Sequence, residues 1–140
     1  MVSCRIIIIF LLPLCAKSQE SIHWLINQDK ITDCNYIKSG KFVQEKSCDE
    51  ITEDYSIEFR DDYVLEKVEN GKYFLRSKIT YTSNCAYQLK VLETNIPGYE
   101  SEIGKIYYTE ILETAKIDKL IKIRSKGDKW QTVVLRKVAE

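Results

Sequence analysis

From Lys41 to Val138 the chain alternates apolar and polar residues in short runs broken by turn residues, and no long segment keeps a helical period. Side chains along a strand point alternately to opposite faces, so this pattern predicts a meander of antiparallel strands. Tyr55, Ile57 and Phe59 alternate with Ser56, Glu58 and Arg60 before Asp61-Asp62 interrupts the run, and a second strand covers Tyr63 to Glu69. Asn70-Gly71 then predicts a tight hairpin, because both residues tolerate the positive φ of a type I′ turn. On the returning strand, Lys72 to Thr82, Tyr73, Leu75, Ile79 and Tyr81 share one face while Arg76, Lys78 and Thr80 take the other. Tyr87, Leu89 and Val91 mark the next strand, and Pro97-Gly98 opens the longest connection, which reaches Gly104. Lys105 to Thr114, Ile117 to Arg124 and Lys129 to Val138 follow; with Lys41 to Ser47 as the first, the strands number eight.

The expected fold is therefore all-β, an antiparallel up-and-down meander. Eight strands in about 100 residues remove their exposed edges most simply by closing, or half closing, into a barrel. An open sheet wrapped on a helix is the alternative. Ile22, Leu25, Ile26 and Asp29 fit helical spacing, so a short N-terminal helix plugging one end is also expected.

Ahead of this domain, Arg5 and the apolar run Ile6 to Cys15 read as a secretory signal, too short to span a bilayer, with Ala16-Lys17-Ser18 as its cleavage site. The chain divides accordingly into a signal peptide, 1–18, and one domain, 19–140, secreted or periplasmic. A competing reading makes Cys15 the lipidated residue of an outer-membrane lipoprotein, although Leu14 stands where a small residue is normally required. The mature domain, 122 residues with 19 basic and 21 acidic side chains, has no second long apolar stretch and so no expected transmembrane segment. Its charge is uneven: residues 19–115 hold 11 basic and 18 acidic groups, whereas 116–138 hold 8 and 2. The basic rear could meet an anionic envelope component, or it could pair with acidic neighbouring strands.

Chemistry-bearing patterns are sparse. Cys34, Cys48 and Cys85 remain in the mature chain, and an exported protein is expected to use two of them in a disulfide. Cys34 and Cys85 each precede a predicted strand, where a staple between the N-terminal segment and the sheet is plausible; Cys34 with Cys48 is the other pairing. No metal site or cofactor is expected. C-x-x-C is absent, His23 is the only imidazole, the five glycines stand apart, and the acids from Asp49 to Asp54 lack the calcium-loop spacing. One histidine, with no base-and-orienter set around a nucleophile, argues against an enzyme. Nine tyrosines are the unusual feature. Tyr55, Tyr73, Tyr81, Tyr87 and Tyr108, with Leu75, Ile79 and Leu89, could line a cavity for a small apolar molecule; equally, Tyr is a good half-buried strand residue. Export sets nucleic acid aside as a partner.

Two resemblances attach to these residues. Gly40-Lys41-Phe42 on the first strand, with Arg136 on the last, resembles the arrangement of lipocalin-like (calycin) barrels, in which a basic residue of the last strand packs on an aromatic of the first. Phe stands here where those barrels carry Trp. The stretch Asp33-Cys34-Asn35-Tyr36-Ile37-Lys38-Ser39-Gly40-Lys41-Phe42, followed by Ser83-Asn84-Cys85-Ala86-Tyr87-Gln88-Leu89, resembles a group of small exported flavobacterial proteins of unknown function. That resemblance implies export and the pairing of Cys34 with Cys85. The expected biochemistry is thus non-enzymatic binding, either of a small apolar ligand inside a lipocalin-like barrel or, with a filled core, of an envelope partner at the surface.

Overall fold

In the computed structural model, which describes residues 25–45 and 55–140, the alternating runs become eight antiparallel strands. They are β1 (Gly40–Gln44), β2 (Ser56–Phe59), β3 (Tyr63–Val68), β4 (Tyr73–Ser83), β5 (Ala86–Thr94), β6 (Ile106–Ala115), β7 (Leu120–Lys126) and β8 (Trp130–Ala139). Each pairs with its sequence neighbours, and β1 pairs with β8 to close the barrel. Each described strand thus has a partner on both sides, and closure of this kind removes the open edges that template edge-to-edge association.

The period-two pattern fixes which side chains turn inward. On β3 Val64, Glu66 and Val68 are buried between half-exposed neighbours, and on β5 Tyr87, Leu89 and Val91 play the same part. Irregular register within the β4–β5, β6–β7 and β1–β8 pairs bends the sheet, as a closed barrel of short strands requires. The Asn70-Gly71 turn forms where the dipeptide predicts it, with both residues at positive φ and Lys72 N–H donating to the Glu69 carbonyl. A second turn overlaps it, because Glu69 also has positive φ and Gly71 N–H donates to the Val68 carbonyl, so the strands stop at Val68 and resume at Tyr73. Strand β7 also starts later than Ile117, because Lys116–Asp118 forms a 3₁₀ turn that ends on Lys119 in the left-handed conformation.

One glycine is demanded by the closure itself. Gly40 has φ +112°, and a Cβ there would lie 2.6 Å from the Ala139 carbonyl oxygen and 2.7 Å from Lys137 Cε. Any larger residue would push β1 away from β8 at the point where the two ends of the barrel sequence meet.

The N-terminal helix is not found among the described residues. Residues 25–33 form turns and bends, and Cys34–Ile37 forms a single 3₁₀ turn capped by the Asp33 side chain. The reason is visible in the hydrogen bonding: Asp29 and Asp33 are engaged with the end of β6, which pins the segment in an irregular course along it. The Asp29 amide donates to the Thr114 carbonyl at 2.8 Å, its carboxylate accepts from Thr114 Oγ1 at 2.6 Å, and Thr114 Oγ1 accepts from the Asp33 amide at 3.0 Å. Ile26, placed by the helical spacing on a packed face, is instead 96% exposed. Residues 1–18, Cys15, His23, Cys48 and the acids from Asp49 to Asp54 lie outside the described residues.

Candidate functional site

Of the residues expected to line a cavity, Tyr55, Tyr73, Leu75, Ile79, Tyr81, Tyr87 and Leu89 do point into the barrel, whereas Tyr108 does not. It stands on the outer wall, 48% exposed, and its neighbour Tyr107 takes the inward place. β6 is apolar on both faces, so alternation alone could not tell the two tyrosines apart.

The inward side chains fill the barrel. Phe42, Ile57, Val64, Ile121, Ile123, Val133 and Leu135 have no accessible surface at all. A run of edge-to-face rings crosses the interior from Tyr36 through Phe42, Phe59 and Tyr87 to Tyr81, with centroids 5.7–6.3 Å apart. This is the preferred geometry for aromatic pairs, because the positive edge of one ring meets the negative face of the next. The basic residue that seats this stack is Lys137. Its ammonium lies 4.4 Å from the Tyr36 ring centre and 5.5 Å from that of Phe42, and it donates to the Tyr36 carbonyl at 3.2 Å. Arg136, expected in that role, faces outward, where it pairs with Glu45 and donates to the Asp118 carbonyl. Inward residues on β8 are Val133, Leu135 and Lys137, so the parity of the strand decides between the two bases.

At the other end of the interior sits a polar layer that the sequence pattern did not single out. Glu66 is 1% exposed and accepts a 2.6 Å hydrogen bond from the Tyr55 hydroxyl. Thr109 and Ser125 share a 2.8 Å hydrogen bond, and Ser77 is fully buried nearby on the inward face of β4. Burial pushes the Tyr87 phenol far above its ordinary range, and burial together with the Glu102 carboxylate does the same to Tyr107. These hydroxyls stay protonated and act as donors, not as acids. Replacing Tyr55 by Phe removes a donor from a buried carboxylate and is expected to destabilise by about 1.5–3 kcal/mol. Urea unfolding followed by near-UV circular dichroism checks this.

Cys34 and Cys85 stand at disulfide distance, with Cα atoms 5.1 Å apart and 51 residues between them. The pair ties the 3₁₀ turn to the β4–β5 hairpin and so closes one end of the barrel. Among the described residues no group of histidine, cysteine, aspartate and glutamate side chains is arranged to hold a metal ion. No helix among them is long and apolar enough to cross a membrane. Two surface grooves, of about 340 and 610 Å³, are edged by charged side chains, Lys41 and Lys67 in one and Lys38, Arg60, Asp61 and Asp62 in the other.

On the outer wall, much of the basic rear is already partnered. Lys116 pairs with Asp33 at 3.0 Å and holds that carboxyl below the ordinary aspartate range, Arg124 pairs with Glu110 at 2.7 Å, Arg136 with Glu45, and Lys137 is turned inward. Lys126 keeps no carboxylate among the described residues. It lies directly between Tyr108 on β6 and Trp130 on β8, and both Lys126 and Arg124 approach the Trp130 ring, at 5.7 and 4.4 Å. Two further lysines, Lys78 and Lys90, are exposed and directly opposite each other on β4 and β5. Sequence reading found the charge of this wall but not Trp130 or the lysine pair, because which side chains meet across strands depends on register. Comparison with known proteins yields no family model that matches the chain and no match among curated proteins or solved structures.

Proposed function

We propose that the protein is an exported, non-enzymatic binding module that works through its outer wall on an anionic component of the cell envelope. The observation that carries this reading is the filled interior: the tyrosines and aliphatic residues that could have lined a ligand cavity are packed against one another instead. A carrier of a small apolar molecule needs an enclosed apolar volume of some hundreds of cubic ångströms. The leader read in residues 1–18 supports the compartment, and the basic outer strands support the sign of the partner's charge.

Protein isolated from the envelope of its own host, analysed by native mass spectrometry, is expected to show a bare mass. The same protein is expected to sediment with envelope fractions at low salt and to be released as salt rises, because exposed charges are screened beyond about 10 Å at 0.1 M ionic strength. A stoichiometric lipid or metabolite retained in the mass spectrum overturns the reading in favour of a carrier. Failure to sediment at any salt concentration removes the docking role.

A further inference from the structure

Two rows of outward side chains cross the wall from β3 to β8. In the first, Tyr63, Lys78, Lys90 and Ile106 are successive cross-strand partners. In the second, one step along the strands, Thr80, Gln88, Tyr108, Lys126 and Trp130 are. Like charges placed directly opposite, as Lys78 and Lys90 are, work against the sheet. Neither lysine, nor Lys126, enters an ion pair among the described residues. Beside them Ile106, Tyr108 and Trp130 are 44%, 48% and 42% exposed. On the same wall Arg76 pairs with Glu93 and Arg124 with Glu110. Three lysines without an ion pair and three exposed apolar side chains thus lie in adjoining rows.

We infer that these rows form a binding track for an acidic polysaccharide, whose carboxylates meet Lys78, Lys90 and Lys126 while its sugar rings lie against Tyr108 and Trp130. The inference rests on the outer-wall reading above and names its partner. The shape of the track selects the partner class. β4 to β8 make up five of the eight strands of a closed ring, so Lys78 and Trp130 face nearly opposite directions. Strands are about 4.8 Å apart, and the second row is therefore roughly 19 Å long measured around the wall. A flat bilayer touches one strand of such a wall and its immediate neighbours, whereas a flexible chain follows the curve. Aromatic rings set between lysines suit a polymer that presents apolar ring faces and anionic groups in turn, and the leader segment places the encounter outside the cytoplasm, where nucleic acid is not the usual polyanion.

Affinity electrophoresis of the intact protein through gels containing alginate tests this, with neutral dextran, single-stranded DNA and vesicles of anionic phospholipid as comparisons. Retardation by alginate is expected, weakening with salt, with none by dextran. A lysine near an anionic surface contributes enough that Lys90→Gln and Lys126→Gln should each weaken binding about fivefold. Trp130→Leu should weaken it without altering the salt dependence, and Lys30→Gln, remote from the track, should leave it unchanged. Far-UV circular dichroism and melting temperature confirm that each variant folds. The track is overturned if the lysine variants bind alginate as the parent does, or if DNA or anionic vesicles bind more tightly than alginate. Binding to envelope fractions that survives such a result leaves the outer-wall module standing with a different partner, and loss of all polyanion binding removes both.

Discussion

Replacing Cys34 and Cys85 together by serine is expected to lower the unfolding free energy by about 4 kcal/mol, the chain-entropy value for a cross-link spanning some fifty residues. The 51-residue separation takes in β1 to β4 entirely, so the bond restricts half of the domain in the unfolded state. Native packing should change little, because serine nearly keeps the volume of cysteine in the apolar cluster that Cys34 shares with Ile37 and Phe42. Urea unfolding of the oxidised parent, the reduced parent and the double variant checks the prediction. Reduced parent and double variant should coincide, both well below the oxidised protein. A difference under about 1 kcal/mol would mean that the 3₁₀ turn holds the hairpin without the bond.

Phe42→Ala is expected to cost about 3–5 kcal/mol, the range for deleting a buried aromatic ring. Phe42 stands between Tyr36 and Phe59 in the line of rings, so its loss breaks two edge-to-face contacts and opens a void that the closed sheet cannot collapse to fill. The variant also takes one of the two rings from beneath the Lys137 ammonium, a group only 7% exposed. Phe42→Leu, which keeps more of the volume, should lose less. Arg136→Ala, on the outside of β8, should cost under about 1 kcal/mol, as exposed ion pairs do. Thermal and urea melts of the three variants would expose a wrong assignment of the seated base if Arg136→Ala proved as damaging as Phe42→Ala.

Most of the barrel could be read from the sequence because its cause is local. Alternation on Tyr55–Phe59 and Tyr73–Tyr81 reports directly which face meets the core, and turn residues mark where strands end. The number of strands and their order follow from that. What could not be read depends on long-range fit. Tyr107 and Tyr108 sit on a strand apolar on both sides, and Arg136 and Lys137 are adjacent bases, so only the register against β1 and β7 shows which member of each pair turns inward. The helix expected near Ile22 to Asp29 yielded, over its described residues, to hydrogen bonds with Thr114, some eighty residues away. Glu66 was passed over because an acid flanked by Leu65 and Lys67 looks like a solvent-facing residue. Its burial goes with the Tyr55 hydroxyl, which reaches it from just ahead of β2. The row through Lys126 and Trp130 was hidden for the same reason, since each of its members belongs to a different strand.

The pairing of β1 with β8 also sets an order of events. Seven of the eight strand contacts join neighbours in sequence and can form as hairpins while the chain is still incomplete, but the eighth joins Lys41 to Ala139, across nearly the whole domain. Loop closure over that distance must be met before the contact is rewarded, which makes it the slow step. A chain made from its N-terminus therefore stays an open sheet, with β1 exposed along one edge, until β8 follows. Whatever handles the chain before β8 is made meets an open sheet and not a finished barrel, and the seal is then placed by Lys137, whose ammonium reaches the Tyr36 carbonyl.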